Sequence, residues 1–308
     1  MAISGRLPPS RSLRSFQSLR LSSGLAWMAL AQLFFAGMNI CTRLGARNLS
    51  WAEVASARFL VGGIMAAGLG WFRGSSLRVG DQPAAWRRSI YGTLAAICAF
   101  YALASSRIAL GDAATLGATA PIFVVLFAGP LLGERVSAGE LLAVALGFTG
   151  VIAVMRPSFA LAGPVAAIAT VGAMFWALAM IWLRKMGPGE SHEAVVLHFS
   201  LVALVTFILL ALPQWRWPSW TDSAFLLGAG LGGGLGQVTM TRAYSLHRAA
   251  PVSALSALSL VLTYALALPV FGDRPTAWQV GGSLLVVGAS VLLAVSHDRL
   301  EAPVGTQV

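Results

Sequence analysis

Ten stretches of about 20 mostly apolar residues recur along the chain. Their centres fall near Leu33, Gly62, Ala99, Phe123, Leu146, Gly172, Ala203, Gly230, Leu262 and Val287. That is the length a helix needs to cross the hydrocarbon core of a bilayer, so each stretch is predicted to be one transmembrane helix. Together they use about 200 residues and leave only short connections and two tails. No soluble domain fits in the remainder. The predicted fold is all-α and integral to the membrane. Trp51, Trp71, Trp86, Trp182, Trp215, Trp217, Trp220 and Trp278 fall near span ends, where indole rings settle at the lipid–water boundary.

Composition narrows the class further. Of 308 residues, 57% are hydrophobic and 10% charged, and the mean hydropathy is +0.77. A soluble domain carries about 25% charged residues, so a soluble, fibrous or unstructured chain is excluded. The two cysteines, Cys41 and Cys98, lie in apolar stretches and provide neither a disulfide framework nor a paired-cysteine metal site. The net charge is +10, and every cation but Lys185 is an arginine. In a soluble protein this balance would suggest nucleic acid. Here no aromatic-interleaved basic patch supports that, and loops held against anionic lipid account for the charge. With the amino terminus in the cytoplasm, that side collects fourteen cations, among them Arg73, Arg87, Arg88, Arg135 and Arg242, against six opposite, among them Arg43, Arg107 and Arg274. The positive-inside rule then puts both termini in the cytoplasm. Arg6, Arg11, Arg14 and Arg20 stand among serines and prolines and read as an unstructured tail. A transit peptide is the alternative, but Pro8-Pro9 would break the amphipathic helix it needs.

The chain also repeats itself. Ala104–Ala138 aligns without gaps on Ala243–Ala277, with Ser106/Ser245, Leu116/Leu255, Pro130/Pro269, Gly133/Gly272 and Arg135/Arg274 identical. Each unit holds five predicted helices. An odd number inserts the second unit upside down relative to the first, and inverted repeats are a device of secondary transporters.

On these residues the chain resembles a known family. Ala57-Arg58-Phe59-Leu60 in helix 2, the run Tyr101–Val154 with its Pro130…Gly133-Glu134-Arg135 signature, and the matching run Thr241–Val295 are similar to EamA domains of the drug/metabolite transporter superfamily. The likeness covers about Gly24 to Val295. It implies two inverted five-helix EamA repeats, residues 22–157 and 158–296, between a tail of residues 1–21 and another of 297–308. It also implies a central cavity and passage of small metabolites, without naming one substrate. Asp273 replaces the usual Glu, and Leu260 stands where the first repeat has Pro121.

Charges within the bilayer are costly and functional by default. Arg58 lies about seven residues into helix 2, roughly 10 Å deep. It reads as a pathway cation, a helix lock, or a side chain snorkelling to the interface. His198 sits at a matching depth in helix 7 and is either a proton acceptor or a hydrogen-bonded helix contact. His192 is six residues away, not the three or four that share a face, so no metal site is expected. Glu134 and Asp273 stand at tight turns before predicted helix starts, where acids favour the helix dipole. With Arg58 and His198 they form the expected gating or helix-locking set. Asp112 and Glu53 read as helix caps, and no carboxylate is evident at the midplane.

The expected substrate cavity is neutral and polar: Gln32, Asn39, Tyr101, Thr115, Thr119, Trp176, Gln237, Ser253 and Ser256. Such side chains also serve as glue between helices. The glycines of helix 8 (Gly230, Gly232, Gly233, Gly234, Gly236) are no phosphate loop, because no Lys-Ser/Thr follows. They indicate close packing or a broken helix. No His/carboxylate cluster or Ser/His/Asp set marks an enzyme, so no catalytic residue, cofactor or metal is assigned. The expected partners are the bilayer and a small solute rather than nucleic acid, with a homodimer as the candidate assembly. The expected function is secondary transport of a small organic metabolite or drug-like solute by alternating access, with efflux the expected direction, in a plasma membrane, the expected one being a bacterial inner membrane. The alternatives are an uptake carrier for a vitamin, nucleotide-like cofactor or amino-acid derivative, and a membrane scaffold without flux.

Overall fold

The computed structural model describes residues 11–132, 138–155, 159–186, 190–246, 258–272 and 274–301. Among them the elements are eleven α-helices and one short 3-10 turn, Leu212–Gln214, with no strand. The helices are α1 (Arg11–Gly45), α2 (Trp51–Arg73), α3 (Gln82–Ala104), α4 (Leu110–Gly117), α5 (Ala120–Leu132), α6 (Ala138–Met155), α7 (Phe159–Met186), α8 (His192–Ala211), α9 (Trp220–Leu246), α10 (Leu258–Phe271) and α11 (Ala277–Glu301). All ten expected centres lie inside helices. The fourth expected span is two helices, α4 and α5. The chain breaks at Ala118–Thr119, where the Thr119 hydroxyl donates back to the Leu116 carbonyl at 2.6 Å and offers the backbone an alternative to the helical ladder. α1 starts at Arg11, within the segment read as a tail.

Three helical segments are long and apolar enough by themselves to cross a membrane: Trp51–Arg73, Gly163–Leu183 and His192–Gln214. The other apolar helices are shorter, and α1, α3 and α9 are diluted by Arg, Gln, Ser, Thr and Gly. α2 shows how local chemistry sets the ends. Ser50 and Glu53 form a capping box, which satisfies two otherwise orphaned N–H groups. Gly74, at φ 64°, closes the helix in the left-handed region, where a side chain would be strained. Ile64, Ile152, Val205, Leu209 and Leu284 face outward and are exposed, as a lipid-facing wall requires. Trp71, Trp217 and Trp220 are exposed near helix ends.

The two halves interleave rather than forming separate bundles. α1 packs on α9, α3 on α7, α2 on α8 and α6 on α11. Each pairing runs antiparallel. Along α1·α9, Arg242 lies over Trp27 while Asn48 bonds Asp222 at the far end. Along α2·α8, Gly63 approaches Ser200 and Gly70 approaches Glu193. Along α6·α11, Gly147 faces Ala289, and Gly150 meets the Gly282 backbone. α2 and α8 are the second helices of their halves, and α6 and α11 the last. Equivalent helices therefore run in opposite directions. Under exchange of the halves, α1·α9 becomes α7·α3, and the pairs α2·α8 and α6·α11 map onto themselves.

Glycine sets how closely these helices approach. A Cβ on Gly150 would lie 2.6 Å from the Gly282 carbonyl oxygen, and one on Gly282 would lie 2.6 Å from that of Gly150. α9 is continuous through its glycines, so the close-packing reading holds and the broken helix does not. A Cβ on Gly232 would press on the Phe34 carbonyl of α1. The aromatic core lies between α2, α3 and α8. Phe59 stacks on Phe207 at 5.4 Å and meets Phe199 edge-on at 5.2 Å.

Candidate functional site

At the end of the bundle that carries Arg73, helices α2, α8 and α9 part and leave a half-open pocket of about 190 Å³. Arg58, Gly62, Ala66, Leu69 and Arg73 line it from α2. The i, i+4 spacing puts 58, 62 and 66 on one helix face. His192, Glu193, Val196, Phe199 and Ser200 come from α8, and Gly234, Gln237, Val238 and Arg242 from α9. Gly233 makes room for the innermost cation, and Gly62 borders it. A Cβ on Gly233 would lie 2.9 Å from the Arg58 side chain, and one on Gly62 would sit 3.9 Å from both an Arg58 guanidinium nitrogen and the Ser200 hydroxyl.

Arg58 is only 6% exposed. Its guanidinium carbon lies 4.1 Å from the Phe59 ring centroid. Among the described residues no carboxylate is within ion-pair distance of it, since the nearby acids are engaged elsewhere. Glu193 pairs with Arg73 at 2.8 Å. Glu53 accepts from the Ser50 and Arg216 backbone N–H groups. The pocket wall holds three arginines against one glutamate, so it is electropositive.

A second buried arginine, which the sequence reading placed in a cytoplasmic loop, stands one ring behind the pocket. Arg88 of α3 is 4% exposed, and its guanidinium carbon sits 4.0 Å from the centroid of Phe199. Its Nε and one Nη have no hydrogen-bond partner. His198 is next to this arrangement. Its Nδ1 is 2.8 Å from the Ser89 hydroxyl, and its ring meets Trp86 edge-on at 5.0 Å.

The opposite end holds a hydrogen-bonded polar seam. Asp112 is 2% exposed and accepts hydrogen bonds from Tyr264 of α10 and Gln279 of α11. The reading of Asp112 as an N-cap is corrected: the cap position of α4 is Ala109, with no side-chain hydrogen bond, and Asp112 points into the bundle. A Cβ on Gly111 would collide with the Tyr264 ring, so that glycine lets the tyrosine reach its partner. Thr115 and Ser283 share a hydrogen bond at 3.1 Å, and Asn39 donates to Thr263 at 3.3 Å. Arg43 of α1 donates to the carbonyls of Leu103, Ser105 and Ile108 at 2.7–2.9 Å, and it lies over Phe271.

The expected cavity residues are thus divided. Gln237 lines the pocket with Arg58. Asn39 and Thr115 belong to the closed seam. Gln32 is buried, with its amide 3.3 Å from Met28 sulfur, and Thr119 serves the α4–α5 break. Trp176 packs among Ala120, Phe123, Ala173 and Ala177. Tyr101 is exposed and edge-on to Trp51, apart from both groups. Ser253, Ser256, Glu134 and Asp273 lie outside the described residues. Arg88, Tyr264, Gln279 and Ser283 were missed. The one available signal was polarity within a helical stretch.

Residues 22–156 and 164–295 each match the EamA-like transporter family. Among relatives, the chain is 28% identical to the pseudopaline exporter CntI of Pseudomonas aeruginosa (strain UCBPP-PA14), covering 89% of this chain and 96% of that one. It is 30% identical to human solute carrier family 35 member G1, over 68% of this chain and 61% of that longer protein. It is 26% identical to a riboflavin transporter of Rhizobium johnstonii, over 90% and 93%. A crystal structure only 20% identical superposes with a TM-score of 0.66 over 91% of this chain and 99% of its own, which shows a shared fold. Two matched segments in one multi-pass helical chain settle its membership: the protein belongs to the EamA-like transporter family, within the drug/metabolite transporter superfamily.

Proposed function

We propose that this protein is a secondary transporter that moves a small organic metabolite across a bacterial inner membrane by alternating access, in the efflux direction. The observation that carries the reading is the asymmetry of the bundle: a pocket reaching a buried arginine from one end, and a hydrogen-bonded polar seam toward the other. That is the form of one state of an alternating-access cycle. Ten spans in two inverted halves, with both termini in the cytoplasm, agree with the antiparallel run of equivalent helices. On that topology the pocket opens to the cytoplasm.

Reporter fusions after residues 156 and 308 test the topology, and they are expected on opposite faces of the bilayer. Transport itself is tested by loading proteoliposomes with metabolite pools and following protein-dependent exit. A bilayer that leaks nothing beyond protein-free vesicles would leave a scaffold as the reading. Uptake is the second reading, favoured by the relative named as an S-adenosylmethionine uptake transporter of Rickettsia felis, and the sign of flux in whole cells separates the two. Coupling through His198 is the protonic version of either. His198→Ala then flattens the pH dependence of flux, and an unchanged profile removes His198 from the coupling.

A further inference from the structure

We infer that the inner end of the pocket is an oxyanion site, where Arg58 receives a carboxylate or phosphate of the transported solute and Arg88 supplies a second positive charge from behind Phe199. The inference rests on the transporter reading and gives its substrate class. Three observations carry it. First, Arg58 and Arg88 are both buried in helices of a membrane protein, where an unpaired charge is costly. Second, neither has a carboxylate partner among the described residues, and Arg88 keeps two nitrogens without any acceptor. Third, the rings between them are arranged to hold cations rather than to neutralise them: Arg58 lies over Phe59, Arg88 over Phe199, and the two rings meet edge-on. Cation–π contact offsets part of the desolvation but leaves the net charge in place.

The described residues supply no counter-charge, and the open pocket gives an outside anion a route to Arg58. Arg58 offers a planar fork of donors suited to a two-oxygen acceptor, and it lines the open pocket, with the Ser200 hydroxyl and the Gln237 amide on the same wall. Arg88 lines no part of that pocket and acts through its field. Of the other two lining arginines, Arg73 is tied to Glu193 and Arg242 lies over Trp27.

The test uses the full-length protein purified in neutral detergent. Sodium phosphate, succinate and benzoate are titrated at constant ionic strength against chloride, with thermal unfolding as the readout. Wild type is expected to be stabilised by at least one of the three beyond chloride. Arg58→Gln is expected to weaken that effect at least about tenfold, the loss of one charged hydrogen-bonding partner. Arg58→Lys should restore part of it. Arg88→Gln is expected to weaken it about threefold, as suits a charge that makes no contact.

A repeat in phosphatidylcholine nanodiscs, with and without phosphatidylglycerol, separates the sources. Competition by phosphatidylglycerol that Arg58→Gln abolishes supports the oxyanion site with a lipid headgroup as its occupant. Absence of competition supports a soluble solute. Stabilisation of wild type by none of the three anions, or stabilisation that persists fully in Arg58→Gln, overturns the site. Metabolite exit from proteoliposomes that survives in Arg58→Gln would remove the anion site while leaving the transporter reading standing.

Discussion

The two ends of the bundle treat buried polarity in opposite ways. At the Asp112 end every side chain named in the seam is engaged: the carboxylate by Tyr264 and Gln279, Thr115 by Ser283, Asn39 by Thr263, and Arg43 by three carbonyls. On the pocket side two guanidinium groups, Arg58 and Arg88, are buried without a carboxylate partner among the described residues. Satisfied buried networks rigidify a structure, while an unpaired charge destabilises it. One end is thus built to hold, and the other is built to receive something.

This contrast gives substitutions opposite signs at the two ends. The largest effect is expected from Asp112→Ala, which takes the carboxylate acceptor from the half-buried Tyr264 hydroxyl and the buried Gln279 amide. It should cost about 2–5 kcal/mol, read as a fall in the thermal midpoint in detergent. An unchanged midpoint would break the comparison at once. Arg43→Met leaves the Leu103, Ser105 and Ile108 carbonyls without their charged donor and should cost about 2–3 kcal/mol by the same measurement. Arg88→Gln removes an unpaired buried charge and should raise the midpoint, by roughly 1 kcal/mol once the lost cation–π contact is subtracted. A stability gain with a loss of anion response is the pattern of a site held at a cost to the fold. Asn39→Ala should do least, about 0.6 kcal/mol, the mean for an interhelical hydrogen bond in a membrane.

The fold was largely legible because lipid imposes length. Each expected span centre falls in a helix, and the duplicated Pro130/Pro269 and Gly133/Gly272 signature marked the two halves. Arg58 and Gln237 were also legible, as polar groups too deep in apolar stretches to ignore. The seam was not. Membrane helices are apolar on every side, so periodicity does not say which face looks inward. Asp112 follows Gly111 near a helix start, and in sequence that is how a cap looks. Only the approach of Tyr264 across 152 positions shows otherwise. Arg88 was hidden by its neighbour. Arg87 and Arg88 form a pair before a span, yet one step along a helix turns the side chain by about 100°. Arg87 therefore lies over Trp182, while Arg88 goes under Phe199. The break at Thr119 is flanked by Gly117 at the end of α4 and Pro121 in the first turn of α5, but the apolar run continues through it and reads as one span.

At the Gly150–Gly282 crossing of α6 and α11, main chain touches main chain. Helices that meet through side chains can slide by exchanging rotamers, but two bare backbones have nothing to exchange. In the proposed alternating-access cycle this crossing is the natural pivot. In such a cycle α6 and α11 would turn together, and the slack would come from α4 and α10, where the contact is a phenol ring against a helix that carries no side chain at Gly111.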